Sequence, residues 1–581
     1  MIEWVHPSFF LILGALFLPL FKGRMQRIYI VLLPALALVT VMLMSSGVYG
    51  VVHFLGFELI FGRVDKLSLA FAYVFSSAVL IGSIYALHVK DNGQHIAAFV
   101  YAGSSLGVTF AGDFLTLFVF WELMAFASVW LIWSRRVQAS IEAGYRYLLV
   151  HAVGGVVLLA GIMILYVTTG SIRFEAIQVH GAAFYLILIG FMLNAAVPPL
   201  HAWLTDAYPE ATVTGAVFLS AFTTKTAVYA LIRAYPGTEM LIWLGTIMAL
   251  YGVVFAVLAN DIRRLLGYHI ISQVGYMVAA VGMGTALAIN GAVAHAFTHI
   301  LYKGLLFMGA GAVIQMTGRS KLSELGGLYR YMPVTFVLYM IGGFSISAFP
   351  LFSGFVSKSM EVSAAAELDL TWIWLLLSLA SAGTFLHTGL KLPYFTFLGK
   401  DCGARPTEPP RNMLVAMGLA AFLCVFIGVY PDWLYNMLPN DVDYHPYTAT
   451  HVVWALQILL FTGLGFFMLV KHLGGSPKIS LDTDWFYRKG AAIFMLFVRN
   501  VVAPIEDWFI QVYRHVFHGN LVLGIKGLWF DKNVIDGAVN AVAAMVVRWS
   551  GALRQVQTGQ LRQYALVMVG SLLILSLYSL F

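Results

Sequence analysis

Long runs of apolar residues dominate the chain, and short polar or glycine-containing stretches separate them. A run of about 20 apolar residues is long enough to cross a bilayer as one α-helix. The pattern predicts about sixteen transmembrane helices, at residues 7–22, 28–46, 67–89, 95–112, 114–133, 143–168, 182–204, 212–235, 239–258, 264–284, 288–316, 333–362, 372–398, 412–430, 452–470 and 563–580. The predicted fold class is therefore an all-α polytopic membrane protein. Between the second and third spans, residues 47–62 alternate glycines and aromatics and predict a short extracytoplasmic hairpin.

Two of the predicted spans contain helix-breaking residues. Pro198 and Pro199 interrupt the seventh span, and Pro350 with Gly354 interrupts the twelfth. Proline removes a backbone donor and clashes with the preceding turn, so each helix should break. Broken helices at matching positions are typical of inverted-repeat transporters, which predicts two inverted five-helix repeats. Two unrelated kinks are the alternative interpretation.

The predicted domain organisation follows from these spans. Along the tail, apolar residues recur on one helical face, which predicts an amphipathic helix along the membrane surface or against a partner. These residues are Ile535, Val539, Val542, Val546, Trp549 and Leu553. An ordinary cytoplasmic loop helix is the alternative. The predicted divisions are N-terminal helices with the hairpin at 1–94, the first repeat at 95–235, the second repeat at 239–398, two additional spans at 399–480, the amphipathic lateral segment at 481–562 and a final anchoring helix at 563–581.

Composition and charge narrow the class of protein. Hydrophobic residues make up 60% and charged residues 10% of the 581 positions, which excludes a soluble globular enzyme. Basic residues concentrate in the loops after odd-numbered spans, so the positive-inside rule predicts that these loops are cytoplasmic and that the N-terminus faces outward. We expect a multi-pass protein of the bacterial inner membrane. Most basic residues lie between spans, so the net charge of +7 does not indicate a nucleic-acid partner.

A carboxylate and several cations lie inside predicted spans, where charge is rare and usually functional. Glu122 is the one charged residue between Phe114 and Trp133, and Lys225 lies in the middle of the eighth span. His295, His299 and Lys303 follow each other at intervals of four, so they share one face of the eleventh span. Buried lysine, glutamate and histidine can exchange protons near neutral pH, so these residues predict a proton path. Structural ion pairs are the alternative for each.

Further residues near the breaks are weaker candidates. Lys358 follows the second break, and Lys391 lies in the next span, where a snorkelling or ion-paired lysine is an equal alternative. His201 and Asp206 flank the first break and could line an access path or serve as plain helix-terminal groups. The spacing of His295 and His299 also fits a metal site, but no nearby cysteine or carboxylate in the sequence completes one. We find no motif for a nucleotide, and Cys402 and Cys424 do not have iron–sulfur or zinc spacing, so the sequence predicts no cofactor.

Together, several segments resemble a known family. The matching segments are Trp121-Glu122, Pro199 to Asp206, Asp261 to Tyr268, Ser272 to Tyr276, His295 to Lys303 and Gly354 to Lys358. In these segments the chain resembles the antiporter-like membrane subunits shared by respiratory complex I, membrane-bound hydrogenases and Mrp-type multisubunit Na+/H+ antiporters. The resemblance covers residues 60–400, and the tail is similar to the lateral-helix end of the largest complex I antiporter-like subunit.

The resemblance implies roles by position. It implies that Glu122, Lys225 and Lys358 are the family's mid-membrane glutamate, eighth-span lysine and terminal lysine, and that the histidine–lysine group of the eleventh span is its centre. One position departs: Asn194 stands beside the first break, where the family usually has a lysine, and the glutamate–lysine pair of the first half-channel is then incomplete.

The function expected from the resemblance is proton translocation in a larger membrane complex. The first expectation is a chain like the D-type component of an Mrp-type monovalent cation (Na+)/H+ antiporter, with other membrane subunits and the lipid bilayer as partners. The alternatives are the proton-pumping arm of a complex I-like or hydrogenase-like assembly, and a membrane partner in an inorganic-carbon uptake complex. The chain itself carries no catalytic or redox motif.

Overall fold

The computed structural model describes residues 4–475, 482–483, 485–514, 541–542, 544–545, 548, 566 and 568–574. The chain divides into two units, Met1–Ser480 and Leu481–Phe581, each described by itself. The first unit contains helices α1 Pro7–Phe17, α2 Gly23–Met42, α3 Lys66–Tyr85, α4 Asn92–Phe110, α5 Phe114–Trp133, α6 Gln138–Thr169, α7 Ala182–Asn194, α8 Ala202–Ala207, α9 Val213–Ala221, α10 Thr223–Ala234, α11 Glu239–Leu258, α12 Ile262–Met283, α13 Ala286–Thr317, α14 Pro333–Ile346, α15 Ser353–Glu367, α16 Thr371–Thr384, α17 Arg411–Val429, α18 Asp432–Tyr435 and α19 Ala449–Leu469.

The second unit is described only in part. Its described helices are α20 Ala491–Phe497 and α21 Ala503–Tyr513, with π-helical turns at Phe486–Gly490 and Val498–Val502. The predicted amphipathic face of the 481–562 segment and most of the predicted final span lie outside the described residues.

The helices confirm a multi-pass membrane architecture. Eleven helices of the described residues are long and apolar enough to cross a membrane, and three shorter apolar helices accompany them. Every predicted span up to residue 470 coincides with a helix or with a broken pair of helices. Strands β1 Gly47–Phe54 and β2 Phe57–Val64 pair antiparallel, as predicted for the hairpin.

Two matching connections mark the internal repeat. Asp113 precedes α5 and forms an isolated antiparallel bridge with Arg173, just after α6. Asp261 precedes α12 and forms the same bridge with Lys321, just after α13. The two pairs have the same spacing, and both Asp side chains accept hydrogen bonds from backbone N–H groups in the first turn of the following helix. This correspondence aligns α5 and α6 of the first repeat with α12 and α13 of the second.

The two predicted helix breaks are present. The first lies between Asn194, the last residue of α7, and Ala202, the first of α8. The second lies between α14 and α15, whose ends pack directly on each other. A Cβ atom at Gly354 would lie 1.8 Å from the backbone oxygen of Ser345, so only glycine fits this approach.

Two other irregularities differ from the predicted spans. The eighth span, predicted as one helix, is interrupted at Phe222 between α9 and α10. Neither proline nor glycine causes this break. The Tyr101 hydroxyl accepts a hydrogen bond from the Thr223 backbone N–H at 3.0 Å, and the Lys225 ammonium donates to the Ser220 carbonyl at 2.7 Å. These side chains replace the backbone partners that the break removes. In the thirteenth span, α16 continues as a π-helix over Phe385–Lys391.

Candidate functional site

A buried carboxylate–histidine pair joins α13 to α15. His295 Nδ1 lies 2.6 Å from Glu361 Oε2, and its Nε2 atom lies 3.0 Å from the Tyr302 hydroxyl. His295 and Glu361 are both fully buried. The second carboxylate oxygen, Glu361 Oε1, has no hydrogen-bond partner among the described residues. A carboxylate that binds a histidine through one oxygen and keeps the other available can pass a proton between them.

Two helical turns further along α13, a lysine contacts a second histidine. The Lys303 ammonium donates to Nδ1 of His269 on α12 at 3.1 Å, and both side chains are fully buried. His299 lies between His295 and Lys303 on the same face, and neither of its ring nitrogens has a hydrogen-bond partner in the described part of the chain. The structure thus brings the three residues predicted on α13 into one buried polar strip.

Lys358 extends this strip on α15. Its side chain is 2% exposed, and its ammonium lies 5.4 Å from the centre of the Tyr276 ring. Within the described residues the ammonium has no hydrogen-bond acceptor, and it interacts electrostatically with Glu361, three positions later on the same helix. A cavity of about 230 Å³ borders Lys358 and is lined on its other sides by residues of α16 and α19, including Trp374 and His451.

Lys225 connects the second repeat with the first. It is fully buried in the first turn of α10, directly after the break at Phe222. It lies within electrostatic range of His299 and Lys303 on α13. The Ser220 carbonyl holds its ammonium in place. The break therefore places Lys225 of the first repeat within electrostatic range of α13, the central helix of the second repeat.

Glu122 lies apart from these groups. Its carboxylate packs against Gly155 on α6. A Cβ atom added at Gly155 would lie only 2.0 Å from Glu122 Oε1. That oxygen is buried and has no hydrogen-bond partner among the described residues, as is also true of Asn194 Nδ2 at the end of α7. When the two repeats are aligned through their matching bridges, Gly155 of the first repeat corresponds to Lys303 of the second repeat. The first repeat thus supplies a carboxylate where the second supplies an ammonium.

The remaining predicted residues have local partners. Arg146 donates two hydrogen bonds to Asp206, at 2.6 and 3.0 Å, across α6 and α8. The His201 ring contacts Tyr251 edge-on at 4.7 Å. Lys391 donates to the carbonyls of Val257 and Ala259 at the end of α11. Each contact ties one helix end to a neighbouring helix.

Sequence reasoning missed three buried groups of the site: Glu361, His269 and His387. Glu361 carried a usable signal, because it follows Lys358 by three positions within a predicted span and so shares its helical face. The two histidines carried no such signal, since their rings meet across α12 and the π-helical segment, at a centroid distance of 4.9 Å.

The assembled geometry is a row of titratable side chains inside helices that cross the membrane. It begins at Lys225, passes Lys303, His299 and His295 along α13, and ends at Glu361 and Lys358 beside the cavity. Neighbouring members lie in direct contact or within electrostatic range. Such a row of titratable side chains can carry protons from one member to the next.

This fold and site define the class of antiporter-like, multi-pass integral membrane proteins. Residues 111–384 match the family model described as NADH:quinone oxidoreductase/Mrp antiporter, TM. The A-type component of the Na(+)/H(+) antiporter of Alkalihalophilus pseudofirmus is 30% identical over 560 residues, which cover 81% of this chain and 68% of the relative. The chain belongs to this NADH:quinone oxidoreductase/Mrp antiporter family.

Other relatives come from different complexes. The A/B-type component of a probable K(+)/H(+) antiporter of Rhizobium meliloti is 29% identical, and the match covers 68% of this chain. The chain spans only 44% of that relative's length. The chloroplastic NAD(P)H-quinone oxidoreductase subunit 5 of Mesostigma viride is 26% identical, with 88% of this chain and 84% of the relative covered.

Solved structures share the fold. A chain of the archaeal membrane-bound sulfane sulfur reductase superposes with a TM-score of 0.71 at 23% identity, covering 93% of this chain and all of that one. A chain of the Mrp complex from Dietzia sp. superposes with a TM-score of 0.66 at 22% identity, covering 79% of this chain and 98% of the other. Both structures are multisubunit membrane complexes, and at these identities the likeness concerns the fold alone.

Proposed function

We propose that this chain moves protons across the membrane as one component of a multisubunit monovalent cation/H+ antiporter. One observation carries the proposal: buried titratable groups run from Lys225 along α13 to Glu361 and Lys358, with a contact of 2.6 Å between His295 and Glu361 within the row. Buried charge inside a membrane is expensive. A row of such groups is best explained by protons moving along it.

The similarity to antiporter components supports the choice of complex. The Alkalihalophilus and Rhizobium relatives belong by name to a Na(+)/H(+) and a probable K(+)/H(+) antiporter. The narrower expectation of a D-type component is not confirmed by these comparisons, because the two relatives are of the A type and the A/B type. The transported cation, the outward N-terminus and a bacterial inner-membrane location belong to the same proposal.

A complex I-like redox assembly is the second candidate. The match to NAD(P)H-quinone oxidoreductase subunit 5 reaches 84% of that relative, against 68% for the Alkalihalophilus antiporter component. In such an assembly the same proton path would serve a pump, and electron transfer would take place on other subunits.

Purification of the complex from its native membrane, with identification of its partner chains, tests the proposal. The purified complex is reconstituted in vesicles, and proton movement is followed after a Na+ or K+ gradient is imposed. We expect cation-dependent proton flux that is lost in the Lys303→Ala variant. Partner chains with flavin or iron–sulfur motifs, together with proton flux driven only by an electron donor, would instead establish the redox candidate. Absence of flux in both assays would refute proton transport.

A further inference from the structure

Two histidines and a lysine lead away from Lys303 toward one face of the membrane. We infer that His269, His387 and Lys391 form a side branch of the proton path that connects Lys303 with the face at which α11 ends. The inference rests on the proposed function and adds a route that the main row, from Lys225 to Lys358, does not use.

The first step of the branch is a direct contact. The Lys303 ammonium donates to His269 Nδ1 at 3.1 Å. In this arrangement Nδ1 accepts, so the hydrogen of neutral His269 is on Nε2. When Lys303 gives its proton to Nδ1, the ring becomes cationic and can release the other proton from Nε2. The lysine is left neutral and the histidine returns to its neutral form, so one proton has passed and no other atom has moved.

The second step crosses from α12 to the π-helical segment. The rings of His269 and His387 meet at an interplanar angle of 71° with centroids 4.9 Å apart. Both Nε2 atoms are buried and have no hydrogen-bond partner among the described residues. Two buried polar atoms without partners are expensive. Facing histidines at this distance can transfer a proton directly or through one water molecule.

The third step follows the π-helix. His387 Nδ1 lies 2.7 Å from the Thr388 hydroxyl, which fixes the ring. Lys391 follows one turn later in the same π-helical segment, Phe385–Lys391. Its ammonium reaches the carbonyls of Val257 and Ala259, where α11 ends. The next residue, Asn260, is partly exposed. π-helical turns are rare and occur often at functional sites, and here the turn places both titratable groups of the branch.

A comparison of the two repeats supports this branch. In the register of α5 and α12, His269 stands beside the counterpart of Glu122. Glu122 and His269 therefore lie on corresponding helices of the two repeats. The second repeat thus has a titratable group one position before Ile270, the residue that corresponds to Glu122.

Glutamine variants of the two histidines test the branch. Glutamine keeps hydrogen-bonding capacity but cannot carry a proton at neutral pH. Proton flux is measured in vesicles with the whole complex for His269→Gln, His387→Gln and the double variant. His88→Gln is the control, because His88 is a half-buried histidine on another surface that accepts from Asn412. We expect each single variant to lower the flux about tenfold and the double variant to lower it no further, since steps in series are not additive.

The outcomes separate the branch from a structural role. Unchanged flux in both single variants, or losses that multiply in the double variant, would overturn the branch. If a glutamine variant does not assemble on native gels, His387→Ala is assayed with added imidazole, which restores flux only if the missing ring carried protons. Absence of flux in the wild-type complex would refute the proposed function itself, whereas wild-type flux with unaffected variants would refute only the branch.

Discussion

His295 on α13 and Glu361 on α15 lie 2.6 Å apart, Nδ1 to Oε2, with both side chains completely buried. The contact bridges the second broken helix and the central helix of the second repeat. A buried histidine–carboxylate pair is stabilising only while both partners are present, because removal of one leaves an unpaired polar group in the interior. The pair therefore fixes the end of the proposed proton path in position and can also carry a proton.

The first prediction concerns this pair. Glu361→Gln keeps the shape of the side chain but removes the carboxylate, so we expect the protein to assemble and the proton flux to fall about tenfold or more. The matched control is Glu367→Gln on the same helix, whose side chain is exposed. Equal flux in the two variants would show that Glu361 is not part of the path.

The second prediction concerns the central and terminal lysines. Lys303→Ala and Lys358→Ala each remove a proton carrier that is fully or almost fully buried, and we expect coupled proton flux to be abolished while native gels show normal assembly. Lys321→Ala is the control, since Lys321 forms an exposed ion pair with Glu324 at 3.4 Å and such pairs contribute little. Normal flux in both buried-lysine variants would contradict the proposed path.

The third prediction concerns the second helix break. Gly354→Ala places a Cβ atom 1.8 Å from the Ser345 carbonyl oxygen, and backbone on both sides leaves no flexible group to move. We expect overpacking of about 1–3 kcal/mol or more, seen as less assembled complex and a lower melting temperature. Gly418→Ala on α17 is the control, because a Cβ atom there meets nothing within 4 Å. Equal stability of the two variants would mean that the α14–α15 junction can relax.

The fourth prediction concerns the first repeat. Glu122 Oε1 and Asn194 Nδ2 are both buried without hydrogen-bond partners among the described residues, and the Trp121 and Phe191 rings join their helices at 5.2 Å. We expect Asn194→Lys to change the proton flux when Glu122 is present and to leave it unchanged in the Glu122→Gln background. Flux measurements on the two single variants and the double variant form the cycle. An equal effect in both backgrounds would show that Glu122 does not sense position 194.

Most of the fold could be predicted from the sequence because the membrane imposes simple rules. Hydropathy located the helices, and proline located the breaks beside Pro199 and Pro350. The break at Phe222 escaped prediction because neither proline nor glycine marks it, and its backbone groups are satisfied by the side chains of Tyr101, on another helix, and Lys225. The π-helical continuation of α16 has no signal in the apolar pattern of its residues.

The site was predicted where its members share one helix. The spacing of His295, His299 and Lys303 already places them on one face. The contact of Lys303 with His269 depends on how α12 packs against α13, and no local pattern contains that information. Asp206 was selected because it flanks the first helix break. Its partner Arg146 lies on α6, outside the broken segment, so the local sequence did not indicate this ion pair.

The pair of matching bridges, Asp113 with Arg173 and Asp261 with Lys321, has a consequence for the ancestry of the chain. With five predicted crossings in each repeat, an odd number, a copy fused directly behind the original would start on the opposite side. Tandem duplication of one such segment would then produce an inverted pair in one genetic event, with no linking helix required. The same bridge thereby lies at two opposite faces of the membrane. Gain or loss of a single crossing between the two bridges would return both bridges to one face and abolish the inversion.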